Sequence, residues 1–204
     1  MNRNYLFTAF FAAMLTLNAN AQGRFNEMEY GKTQTVFHLN ASSTPKLRLY
    51  KSGQGGKPVK TVKMRAIGND RWEATVKGNL AGMFYTFDIG KGECPGTFAK
   101  AVGVNGNRGA ILNMADTNPE GWADDRRPAL ASPADQIIYE LHMRDFSISP
   151  TSGMKHQGKY LALTEPRAIA YLKSLGINAI HFQPLFDYAS VDETQLHRPQ
   201  FNWG

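Results

Sequence analysis

Between residues 33 and 89 the chain repeatedly sets apolar residues against polar ones with a period of two. That alternation confines this stretch to half-buried β-strands. Five segments carry the strand signal: "TQTVFHL" (33–39), "KLRLYK" (46–51), "VKTVKMR" (59–65), "RWEATVK" (71–77) and "MFYTFDI" (83–89). Their Val, Thr, Tyr, Phe and Trp side chains suit a pleated, half-buried surface. Turn-forming residues separate the later segments, at Gly53–Gly56, Gly68–Asp70 and Gly78–Gly82. Short strands at this spacing predict an antiparallel β-sandwich over residues 22–102. Met64, Trp72, Val76 and Phe84 are the expected core residues, and Trp72 is read as packing rather than ligand-stacking.

The pattern changes twice further on. Residues 103–134 hold glycines, prolines and asparagines with few apolar positions, and read as an ordered linker. From Asp135 the chain turns to the α/β type. "QIIYELHM" (136–143) has the nearly continuous apolar front of a strand buried on both faces of a parallel sheet. "TEPRAIAYLKSLG" (164–176) predicts a helix, with Thr164 as cap, Pro166 in the first turn and Gly176 as terminator. Ala168, Tyr171, Leu172 and Leu175 fall at helical spacing and form its expected buried stripe. "INAIHFQPLF" (177–186) is the next strand. The three make one βαβ unit with a right-handed crossover. Such a unit carries apolar sheet edges on both sides and is not expected to stand alone.

Composition narrows the function classes. With 42% hydrophobic and 20% charged residues, the chain is of ordinary globular make-up. The formal charge of +6 comes from Lys and Arg that look scattered along the sequence, so no basic stripe for nucleic acid is read. Cys94 is the single cysteine, which excludes an internal disulfide. Gly103, Gly106 and Gly109 lack the strand-to-helix setting of a phosphate loop. No His, Cys and carboxylate spacing matches a zinc site, so no metal is expected. At the start, "MNRNY" is positive, "LFTAFFAAMLTL" is apolar, and Ala19 and Ala21 sit at the small-residue positions of a cleavage site. This predicts a secretory signal peptide over residues 1–21, cut after Ala21, and a secreted or periplasmic mature chain.

At "YELHMRDFSISPTSGMKHQGKYLALTE" (139–165) the chain resembles type I pullulanases, starch-debranching glycoside hydrolases of the α-amylase superfamily. "YLKSLGINAIHFQPLFDYASVDE" (171–193) continues the likeness, with Gly176 eight residues before Pro184. "FAKAVGVNGNRGAILNMADTNPEGWADDRRP" (98–128) is similar to the family's linker, although Pro95-Gly96-Thr97 stands where the family has Asp-Pro. "FNWG" (201–204) resembles the opening of the signature "YNWGYDP", with Phe201 in place of Tyr. The resemblance implies a starch-binding-type, immunoglobulin-like β-sandwich followed from residue 135 by the first βαβ portion of a TIM (β/α)8 barrel. It implies an α-glucan substrate and retaining hydrolysis of α-1,6-glucosidic linkages by three acidic residues beyond later barrel strands. On that reading the chain is the N-terminal part of such an enzyme, holds no catalytic residue and is inactive alone.

Asn202 and Trp203 are the candidate substrate-binding residues, a packing role for Trp203 being the competing reading. Glu140, Arg144 and Asp145 are expected to pair and order the end of the first barrel strand. Asp187, Asp192 and Glu193 are expected to be solvated or to order the loop after the second. His142 and His181 read as hydrogen-bonded core residues. No cofactor is expected; family members can carry calcium, but no residue here specifies a site. Neither nucleic acid nor, once the leader is removed, a membrane is expected as a partner. The alternative is a non-catalytic α-glucan-binding β-sandwich protein.

Overall fold

The computed structural model describes residues 25–127, 129–186 and 189–200. The leader expected over 1–21, Asp187, Asn202 and Trp203 lie outside the described residues. The chain divides into two compact units, one ending at Thr117 and the other beginning at Asn118.

The first unit is built of two antiparallel sheets. In one, β1 (Met28–Glu29), β2 (Gln34–Asn40), β6 (Arg71–Lys77) and β5 (Arg65–Gly68) lie in the order β1-β2-β6-β5. In the other, β4 (Lys60–Lys63), β3 (Lys46–Tyr50), β7 (Phe84–Asp88) and β8 (Glu93–Cys94) lie in that order, and β9 (Gly109–Ala110) also pairs with β7. Both sheets turn apolar residues to one shared core. Phe37 and Val76 come from the first, Leu47, Leu49, Tyr85 and Phe87 from the second, and all are buried. Phe37 meets Tyr85 edge to face at 5.1 Å between ring centroids, and Tyr85 meets Phe87 at 5.5 Å.

The structure refines three sequence expectations here. "VKTVKMR" is two strands: the chain bends at buried Met64 and passes from one sheet to the other. Val76 is buried as expected, and Trp72 is half-buried against the core with its indole N–H donated to the Ala41 carbonyl at 2.8 Å. Phe84 is only partly buried, because its neighbours Tyr85 and Phe87 take the inward positions of β7. Gly109–Ala110, read from the sequence as linker, is strand β9, and Ile111 after it is fully buried. The two-sheet unit therefore extends past residue 102.

A polar network covers the outer face of the second sheet. Arg48 donates to Asp88 at 2.6 Å and lies 3.2 Å from Glu93. Glu93 also accepts from Tyr50 and, at 2.7 Å, from Thr86. The Gly90 amide and Arg48 hold Asp88 below the usual carboxylate range. Burial opposes ionisation of Glu93, yet Thr86, Tyr50 and Arg48 together still depress it. Groups depressed on folding contribute stability at neutral pH and lose it as pH falls through their folded pKa values. The urea midpoint should therefore drop from about pH 5 downward, and Arg48→Met should flatten that pH slope. An unchanged slope in the variant would mean the network does not couple folding to protons.

The second unit holds one parallel pair. Strand β10 (Ile138–Leu141) runs alongside β11 (Ala179–Phe182), with Ile138 opposite Ala179 and Leu141 opposite Phe182. Helix α1 (Pro166–Ser174) lies between them in sequence. Pro166 occupies the first turn, and Gly176 at φ +70 stops the helix as expected. The cap differs. Thr164 donates its hydroxyl to the Leu161 carbonyl, while Glu165 takes the capping position without a side-chain cap bond. Of the expected stripe, Ala168 and Leu172 are buried, but Tyr171 and Leu175 are exposed at 48% and 44%. Nor is β10 buried on both faces: Ile138 is 57% exposed. Among the described residues this sheet has two strands, which leaves much of its apolar surface uncovered.

Candidate functional site

The C-terminal ends of β10 and β11 carry five of the ionisable residues that the sequence singled out: Glu140, His142, Arg144, Asp145 and His181. Asn178 fixes the pairing at the other end. Its side-chain oxygen accepts from the Ile137 amide at 2.8 Å and its side-chain nitrogen donates to the Asp135 carbonyl at 2.9 Å. The Gln183 amide donates to the Leu141 carbonyl at 2.9 Å and holds the far end. This register sets Glu140 opposite His181.

The expected Glu140–Arg144–Asp145 group forms only in part. Arg144 pairs with Asp145 at 3.2 Å, and His142 Nδ1 lies 3.3 Å from the same carboxylate. Glu140 instead reaches across to His181 Nδ1 at 3.2 Å and accepts from Gln183 at 3.3 Å. The reason is geometric: successive side chains on a strand alternate faces, whereas directly paired strand residues share one. His142 is mostly buried, as expected. His181 is exposed and is not a core residue. Asp192 orders its loop, accepting from the Thr194 amide at 3.0 Å and hydroxyl at 2.7 Å.

Another carboxylate, Glu165, clamps the loop between β10 and α1. Glu165 accepts from the amides of Lys155 and His156 at 2.9 and 2.8 Å and from His156 Nδ1 at 3.0 Å. The two amides, then the imidazole, hold it below the usual carboxylate range. Beside this loop lies a cavity of about 420 Å³ lined by Tyr139, Asp145, Phe146, Ser152, Arg167 and Tyr171 among others. Tyr139 and Arg167 were not singled out in the sequence. Tyr139 opens the stretch 139–165 without a role of its own there, Arg167 lies between that stretch and the one over 171–193, and the cavity brings both beside Asp145. Glu140, Asp145 and Glu165 are each engaged by a histidine, an arginine or backbone amides. Among the described residues no group of three or more His, Cys, Asp or Glu side chains could hold a metal ion.

The two-sheet unit carries a second concavity, an open groove of about 240 Å³. Phe25, His38, Asn40, Ile67, Arg71 and Trp72 are among its walls. It mixes aromatic faces with hydrogen-bonding side chains, and Trp72 is the one member weighed from sequence.

No protein-family model matches the chain. Over 188 residues, 86% of its length, it is 35% identical to the pullulanase of Bacillus subtilis strain 168. The crystal structure of the apo pullulanase from Paenibacillus barengoltzii matches 90% of the chain with a TM-score of 0.82 and 40% identity. This chain is a pullulanase homologue. The pullulanase from Bacillus acidopullulyticus agrees, with a TM-score of 0.78 and 37% identity over 85% of the chain. The homologue spans 25% of the Bacillus subtilis pullulanase, 30% of the Paenibacillus chain and 23% of the Bacillus acidopullulyticus chain. The likeness read from sequence motifs is thereby confirmed over most of the chain.

Proposed function

We propose that this chain serves a secreted starch-debranching glycoside hydrolase, as its N-terminal part. The whole enzyme would hydrolyse α-1,6-glucosidic linkages in pullulan or related α-glucans with retention. The observation that carries this is the 40% identity and TM-score of 0.82 to a solved pullulanase over 90% of the chain. A structure of the same Paenibacillus enzyme is complexed with maltohexaose and α-cyclodextrin, which supports an α-glucan as substrate. In this reading residues 1–21 are a cleaved leader. The two-sheet unit is an immunoglobulin-like β-sandwich module, and β10-α1-β11 opens a (β/α)8 barrel. Asn202 and Trp203 belong to a substrate-site signature.

Retaining hydrolysis needs two carboxyl groups about 5–5.5 Å apart across the bond to be cleaved. The carboxylates at the end of β10, Glu140 and Asp145, are instead tied to histidines and an arginine, and Glu165 before α1 to backbone amides. The 204-residue polypeptide is therefore expected to release no reducing sugar from pullulan, while a pullulanase under the same conditions does. Maltotriose appearing with the purified chain alone would sink the assignment of these residues to a non-catalytic part.

A further inference from the structure

The fold gathers the chain's positive charge onto one hairpin. Residues 46–63, from the start of β3 to the end of β4, contain six Lys and Arg and no Asp or Glu. That equals the formal +6 of the whole chain, so the remainder is net neutral. In sequence these cations look spread out. The hairpin of β3 and β4 places Lys46 directly opposite Lys63, with Lys60 on the same edge strand and Lys51 and Lys57 in the connecting loop. All five lysines are exposed. Arg48 and Arg65 are spoken for, by Asp88 and Glu93 and by Glu73. A further cation, Arg108, braces the hairpin base: it lies 3.5 Å from the Tyr50 ring centroid and donates to the Ser52 carbonyl at 2.7 Å.

We propose that this hairpin docks the protein onto an anionic phospholipid surface. Lysines on an edge strand also guard it against pairing with another strand. That role accounts for Lys60 and Lys63, and Lys46 faces Asp88 on the neighbouring strand β7, but neither accounts for Lys51 and Lys57 in the loop. The free cations are all Lys, compact hydrated charges suited to a diffuse potential rather than to forked recognition of one group. Lys is depleted in protein–protein interfaces, which argues against an acidic protein partner. A single-stranded nucleic acid would want exposed rings for base stacking, and the hairpin's one aromatic, Tyr50, is buried beneath Arg108. Val59, 51% exposed between Lys57 and Lys60, supplies an apolar tip flanked by cations, the arrangement that settles at a headgroup boundary. This departs from the sequence expectation of no membrane partner, and it does not depend on the enzymatic reading.

Vesicle flotation tests it, because vesicles rise while aggregated protein sinks. The full chain should float with phosphatidylcholine vesicles containing one-third phosphatidylglycerol and not with phosphatidylcholine alone. Flotation should fade between ~0.1 M and ~1 M salt, as the screening length shrinks from about 10 Å to about 3 Å. Each lysine near such a surface contributes about fivefold in partitioning, so Lys57→Gln/Lys60→Gln/Lys63→Gln together should cost about a hundredfold. Lys155→Gln/Lys159→Gln/Lys173→Gln in the other unit should cost little. Circular dichroism melts of both triples should match the parent. Equal flotation with neutral vesicles, equal losses in the two triples, or retention by a polyphosphate column without flotation would each overturn the proposal.

Discussion

Gly96→Ala is expected to destabilise the two-sheet unit by about 4 kcal/mol, most of the stability of a domain at the low end of the ordinary range of about 5–15 kcal/mol. Two effects add. Gly96 sits at φ +95, where an L side chain is strained by about 1–2 kcal/mol. Its new methyl would also stand 2.6 Å from Oε2 of Glu27, and nearer still to Oε1. Glu27 cannot yield cheaply, being 2% exposed. One of its oxygens accepts from the Tyr85 hydroxyl and the other from the Phe98 amide, each at 2.8 Å. Displacing the buried carboxylate breaks both bonds, at about 1.5–3 kcal/mol for a bond to a charged group. Burial, then Glu27, pushes the Tyr85 hydroxyl far above its ordinary pKa, so it stays a donor throughout the working range. The check is a urea titration of Gly96→Ala beside Gly92→Ala. Gly92 also has positive φ, but nothing lies within 4 Å of its would-be methyl. Equal losses in the two variants would show that backbone strain alone acts and that Glu27 is not held in place.

Glu27 also marks where the sequence falls silent. The strands are legible because half-buried sheet writes its period of two into the residue order. Strands β8 and β9 are two residues each and too short to show any period. A lone Glu ahead of the first strand has the look of a surface residue. Only the closing of both sheets makes it a buried acceptor for Tyr85, 58 positions away. The basic hairpin escaped for the same reason. Lys46 and Lys63 are 17 residues apart in sequence and opposite in space. At the parallel strands the sequence supplied the right residues but the wrong partner for Glu140, since register across β10 and β11 is set by Asn178 and the helix between them.

The second large effect expected is a difference in proteolysis between the two units. Under limiting trypsin, sites beyond residue 117 should be cut at least about a hundredfold faster than sites in the two-sheet unit. Cleavage needs local opening, and its rate follows the population of the open form when reclosing is fast. Eleven buried hydrophobic residues form the core of the two-sheet unit, with Phe37, Leu47 and Phe87 fully enclosed. The buried cluster of the second unit is Met154, Ala162 and Ala168, with Phe146 packed against it. Each large side chain fully buried is worth about 1.5–3 kcal/mol, so even two such differences exceed the ~2.7 kcal/mol that separates rates a hundredfold. Trypsin sites exist in both units, among them Lys51, Lys63 and Lys77 in one and Arg144, Lys159 and Lys173 in the other, so target number does not decide the outcome. Exposed Ile137, Ile138 and Ile180 should in addition make the second unit bind an apolar dye that the first does not. Cleavage at matched rates in both halves, read by mass spectrometry of the early fragments, would mean that the βαβ segment is covered by contacts the uncovered sheet does not reveal.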